Sequence, residues 1–75
     1  MLDLPTLMEG DTGVSVARAQ GLLRACAPGS RDDSLSIDGQ FGPTTTAAVR
    51  RFQAKAGLPA DGMVDASTWQ RLLGL

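Results

Sequence analysis

Ser34, Ser36 and Asp38 stand at alternate positions ahead of Gly39, the spacing at which a calcium-binding loop sets its first oxygen ligands before a central glycine. The twelfth place of such a loop wants a bidentate glutamate and here holds Thr45; Glu9 is the only glutamate in the chain. A calcium loop of that kind is excluded. With no histidine and a single cysteine, Cys26, the chain can build neither a histidine-containing nucleophilic triad nor a zinc site of His and Cys ligands. Eight acidic residues leave a carboxylate pair for glycoside hydrolysis conceivable, but most of the aspartates fall in turn or cap contexts, where a short carboxylate serves the neighbouring backbone. No catalytic residue, metal site or cofactor is expected.

Those aspartates belong to a pattern that the chain states twice. Asp38-Gly39, Phe41, Thr45, Val49 and Phe52 recur 23 residues later as Asp61-Gly62, Val64, Thr68, Leu72 and Leu75. Each copy reads as a tight turn, in which Asp bonds its own backbone and Gly takes a positive φ, followed by one inward apolar residue and a helix with a threonine in its first turn. In the first copy Gly42 is the expected N-cap and Pro43 the first helical residue, where a missing N–H is harmless. Thr45, Ala48, Val49, Phe52 and Ala56 then form an inward stripe, with Arg50, Arg51 and Lys55 on the other side. Gly57 fits the left-handed residue after a helix, Leu58 folds back on the last turns and Pro59 prevents continuation. In the second copy Asp65 caps a short helix whose apolar face is Trp69, Leu72 and Leu73. Ahead of both, Val16, Ala19, Leu23 and Cys26 mark one face of a first helix, which Pro28-Gly29 stops. Cys26 is expected in the core rather than as a reactive thiol. Neither copy can bury its apolar face alone, so the two must pack on each other and on the first helix.

The expectation is one all-α domain over residues 1–75, with helices at about 14–27, 43–56 and 66–73 and a polar surface loop from Gly29 to Ser36. A chain of 75 residues buries only about 60% of its unfolded surface and holds one small core. Its hydrophobic content of 43% includes no apolar run near the roughly 18 residues of a membrane span. Seven basic residues, scattered and outweighed to a net charge of -1, argue against a nucleic-acid face. The opening stretch "MLDLPTLMEGD" carries Asp3 and Pro5 where a secretory leader would place its apolar core. A monomer is expected.

The ordered set Gly10, Gly13, Val16, Gln20, Leu23, Asp38-Gly39, Phe41-Gly42, Thr45, Ala48-Val49, Phe52-Gln53, Gly57-Leu58, Asp61-Gly62, Val64, Thr68-Trp69 and Leu72 resembles the peptidoglycan-binding domain 1 family, of PGBD-like fold. The resemblance runs from Leu7 to Leu73 and departs at Ala19, where the family favours Leu, and at Asp65, where Gly is common. It implies a compact three-helix orthogonal bundle with two Asp-Gly turns. It also implies a non-catalytic module that attaches a linked cell-wall hydrolase or transpeptidase to bacterial peptidoglycan, in the periplasm or cell wall. The fold also resembles the propeptide domain of matrix metalloproteases, which gives an alternative: a protein-interaction or autoinhibitory module without a glycan ligand. The inhibitory cysteine of those propeptides follows the bundle, whereas Cys26 lies in the first helix.

Phe41, Phe52 and Trp69 all fall on inward positions, so a sugar-stacking platform is not expected. The better physical candidate for wall contact is the start of the second helix. There the free amides from Gly42 through Thr44 and Thr45, together with the helix dipole, could receive a stem-peptide carboxylate. Asp38 and Gln40 would add polar contacts from the turn and Arg31 from the loop. Against this, Thr44 and Thr45 could simply satisfy their own helix start and Asp38 its own turn. Affinity per domain is expected on the order of micromolar to millimolar, raised by tethering.

Overall fold

The computed structural model describes residues 5–25 and 36–74. The expected core role of Cys26, the end of the first helix near residue 27, the loop position of Arg31 and the recurrence at Leu75 lie outside the described residues. Three helices are present: α1 (Val14–Ala25), α2 (Pro43–Ala56) and α3 (Ala66–Leu73). Among the described residues there is no strand, only two isolated antiparallel bridges, Leu7 with Val64 and Thr12 with Gln40.

The helix ends follow from local chemistry. Gly42 is an extended N-cap without a side-chain cap, and Pro43 opens α2. At its far end Gly57 turns left-handed (φ 77°). The Leu58 amide then donates to the Gln53 carbonyl at 2.9 Å and the Gly57 amide to Ala54 at 3.4 Å, the paired bonds that satisfy a helix's last carbonyls. Asp65 caps α3 by accepting from the Thr68 amide at 3.0 Å, and Gly74 ends it at φ 76°. α1 packs against both other helices.

The core gathers Leu7, Val16, Ala19, Leu23, Phe41, Ala48, Val49, Val64, Trp69 and Leu72, with Leu22 and Phe52 packed at its margin. Phe52 corrects the expected stripe: it is half-buried, and its neighbour Gln53 is the residue that α2 buries, at 1% exposure. Gln53 lies four residues beyond Val49 and so shares its face. Its amide finds polar partners inside, which removes the penalty that normally keeps glutamine at the surface.

Ahead of α1, residues 5–13 form a strap that pins both copies of the repeat. Leu7 and Val64 exchange backbone bonds at 2.9 and 2.8 Å; Phe41 donates to the Asp11 carbonyl at 2.9 Å and accepts from the Gly10 amide at 2.8 Å. Phe41 and Val64 are the inward apolar residues of the two copies. Each reaches the core with both of its backbone groups paired, as burial requires. The strap is anchored at its start by the Trp69 indole, which donates to the Pro5 carbonyl at 2.7 Å. No helix among the described residues is long and apolar enough to cross a membrane.

Candidate binding site at the start of the second helix

The polar interior is organised around two glutamines. Gln20, on the buried face of α1, donates from Nε2 toward Asp38 Oδ1 at 3.1 Å, the Gln40 carbonyl at 2.9 Å and Thr45 Oγ1 at 3.0 Å. Its Oε1 accepts the Gly39 amide at 3.0 Å. Gln53, on α2, repeats this bond for bond: Asp61 Oδ1 at 3.0 Å, the Met63 carbonyl at 2.8 Å, Thr68 Oγ1 at 3.1 Å, and the Gly62 amide at 3.0 Å. An amide nitrogen has two protons and here meets three acceptors, so one proton is shared. Each glutamine thereby ties a preceding helix, a turn and the first turn of the next helix into one unit.

The aspartates complete the turns. Asp38 Oδ1 accepts the Gln40 amide and Asp61 Oδ1 the Met63 amide, both at 2.9 Å. The Gln40 amide and then the Gln20 side chain stabilise the charged form of Asp38 and hold its carboxyl pKa below the ordinary value. For Asp61 the Met63 amide comes first and Gln53 second, with a further contribution from the Arg50 charge. Among the described residues, no buried side-chain nitrogen or oxygen lacks a partner.

At the start of α2 lies a shallow depression of about 150 Å³, lined by Ser36, Asp38, Gln40, Gly42, Pro43, Thr44 and Thr45. Five of the six expected contact residues therefore border one surface feature: Asp38, Gln40, Gly42, Thr44 and Thr45. Arg31, the sixth, is outside the described residues. Thr44 is exposed, whereas Thr45 is buried at 3% exposure with its hydroxyl bonded to Gln20. Thr45 thus serves α1 rather than its own helix start, and no side chain caps α2. Asp38 does brace its own turn. Ser36 and Pro43 also line the depression, Pro43 having entered the sequence argument only as a helix opener.

Sequence reasoning gave Gln20 and Gln53 no role, although they carry both turns. Their recurrence was legible but out of register: Gln20 stands 18 residues before its aspartate and Gln53 only eight before its own. The longer connection after α1 hides the match from any single offset.

The two helix starts differ at one position. Where the second copy has Asp65, whose carboxylate caps the Thr68 amide, the first has Gly42, and the corresponding place opens into the depression. No group of three or more His, Cys, Asp or Glu residues that could hold a metal occurs among the described residues.

A three-helix bundle whose buried polar groups hold its own turns, with a shallow depression at a helix start, has the make-up of a small binding module. Residues 12–72 match the family model described as "Putative peptidoglycan binding domain", and the chain belongs to this family, a non-catalytic one. It is 43% identical over 70 residues to the zinc D-Ala-D-Ala carboxypeptidase of Streptomyces albus G, covering 93% of this chain and 27% of that enzyme. It is 39% identical over 62 residues to the N-acetylmuramoyl-L-alanine amidase CwlL of Bacillus licheniformis, covering 80% of this chain and 17% of that one. The chain thus spans well under a third of either enzyme. Among solved structures, the SleB N-terminal domain superposes with a TM-score of 0.83 at 34% identity, over 99% of this chain and 96% of that one.

Proposed function

We propose that this domain attaches a linked cell-wall hydrolase or transpeptidase to bacterial peptidoglycan outside the cytoplasm, as a monomer, and that it receives a stem-peptide carboxylate at the start of α2. The observation that carries the contact is the internal comparison of the two helix starts. In the second copy a carboxylate, that of Asp65, occupies the cap position and accepts the third amide of its helix at 3.0 Å. In the first copy the same position is Gly42, no side chain caps the helix, and a depression opens there. Helix starts favour negative charge through their free amides and dipole, so a ligand carboxylate can do for α2 what Asp65 does for α3. Gln40 and Thr44, both exposed at the rim, would add polar contacts, as would Arg31, while Asp38 and Thr45 keep the amides in place.

The attachment reading rests on the family and on the enzymes that carry related domains. Co-sedimentation with insoluble sacculi from Gram-negative and Gram-positive bacteria tests it, with an unrelated acidic protein of equal size as control. Specific pelleting is expected; a folded domain that stays in the supernatant would defeat this reading and favour a protein partner. The contact is tested by Gly42→Asp, which supplies an internal carboxylate. That variant should fold and lose pelleting; unchanged pelleting would place the contact elsewhere.

A further inference from the structure

Asp38-Gly39 and Asp61-Gly62 are the bonds of this chain most open to a spontaneous rearrangement. In an Asp-Gly sequence the glycine nitrogen can attack Cγ of the aspartate, because glycine has no Cβ to obstruct the approach. The nitrogen loses its proton and bonds to Cγ. The C–OH bond of the protonated carboxyl breaks, one water leaves, and a five-membered succinimide forms. Water then adds back to one of the two ring carbonyls. Opening at Cγ restores aspartate, and opening at the main-chain carbonyl leaves isoaspartate, with the chain routed through the side chain and one methylene longer.

The reaction needs a free glycine amide, a neutral carboxyl group, and Cγ brought over that amide. The glutamine-centred networks around Gln20 and Gln53, two copies of one latch, oppose all three requirements. The Gly39 and Gly62 amides are each bonded to a glutamine Oε1 at 3.0 Å. Each carboxylate is turned toward the amide one residue beyond the glycine, at 2.9 Å. Each also accepts from the glutamine Nε2, at 3.1 and 3.0 Å, and such bonds favour the charged form, which is a poor electrophile.

We propose that Gln20 and Gln53 are chemical guards, and that Asp38-Gly39 and Asp61-Gly62 are latent isoaspartate sites, each of which converts only when its own glutamine releases the turn. The extra methylene at residue 38 would distort the rim of the α2 depression; at residue 61 it would break the hold of α2 on α3.

The test is an ageing series on the purified domain at neutral pH, folded in buffer and unfolded in urea. Isoaspartate at each bond is measured by peptide mapping with electron-transfer fragmentation. Both bonds should age roughly tenfold or more slowly in the folded domain, since a local opening of about 1.4 kcal/mol already lowers the reactive population tenfold. Equal rates in folded and unfolded protein would overturn the proposal. Gln20→Met should raise isoaspartate at residue 38 and not at 61, and Gln53→Met the reverse; a variant that raises both alike would show a loss of fold instead of a lost guard. The wild type supplies a second arm that needs no variant to fold. In sub-denaturing urea, ageing at each bond should rise in step with hydrogen exchange of its own glycine amide, and ageing independent of that exchange would overturn the proposal.

Discussion

The latch around Gln20 and the latch around Gln53 have the same partners in the same order, with matching bonds agreeing to within 0.1 Å. They differ in what surrounds them. The Gln53 latch joins helices separated by a short connection, with Gly62 buried and an acidic cap on the next helix; the Gln20 latch spans a longer connection, has Gly39 half-buried and leads to an uncapped helix. The shared part is therefore structural, since it recurs where the chain's own Asp65 already fills the cap position. Whatever the first copy does beyond holding the fold must come from the residues that break the repeat, with Gly42 foremost.

The largest effects should come from the glutamines. Gln20→Leu and Gln53→Leu each strand a buried threonine hydroxyl and a glycine amide, half-buried at Gly39 and buried at Gly62, and each should destabilise the domain by about 3 kcal/mol in urea unfolding. A cost confined to one of them would show that the latches only look equivalent.

Next come the turn glycines, which sit at φ 75° and 78°. Gly39→Ala and Gly62→Ala should each cost about 1–3 kcal/mol for the left-handed backbone. Their surroundings then separate them. A Cβ at residue 62 would lie 2.9 Å from Thr46 Cγ2, whereas one at residue 39 would meet the Gly13 carbonyl oxygen at 3.2 Å. Thr46→Ser removes that methyl and keeps the hydroxyl that bonds Glu9 and the Gly42 carbonyl. It should lessen the penalty of Gly62→Ala and leave that of Gly39→Ala unchanged, a difference readable in a double-mutant cycle.

Exchanging the caps acts directly on the position that breaks the repeat. Asp65→Ala should lower stability by about 1 kcal/mol, and Gly42→Asp should raise it by about 0.3–1 kcal/mol, both measured by thermal unfolding. Acid titration should give the smallest effect. Asp38 and Asp61 are both held below their ordinary value of 3.8, so the folded state binds fewer protons than the unfolded chain. Their contribution is complete above that value and is lost as pH falls through the lowered folded values. The loss seen in unfolding midpoints below about pH 4 should shrink by a similar amount in Asp38→Asn and in Asp61→Asn.

Much of this fold can be read from the chain without coordinates. Glycine after aspartate, proline at a helix start, and Gly57 followed by Leu58 and Pro59 act within a few residues of themselves, so they state turns and helix ends directly. The candidate depression was legible for the same reason, being a helix start beside a turn. The latches were not. A glutamine at an inward position looks like an error in a hydrophobic stripe, and the stripe on α2 was accordingly assigned to Phe52 while Gln53 took the interior.

What the sequence determined by itself was local: which residues turn, which cap, which end a helix, and that the same turn occurs twice. What only the tertiary structure decided was which polar side chains could be buried and whom they would hold. Burying an amide is unfavourable until every donor and acceptor on it is matched, and the partners of Gln20 lie 18 to 25 residues away along the chain. The strap from Pro5 to Gly13 is of the same kind, since its bonds to Phe41, Val64 and Trp69 exist only once the helices have brought both turns to one side of the core.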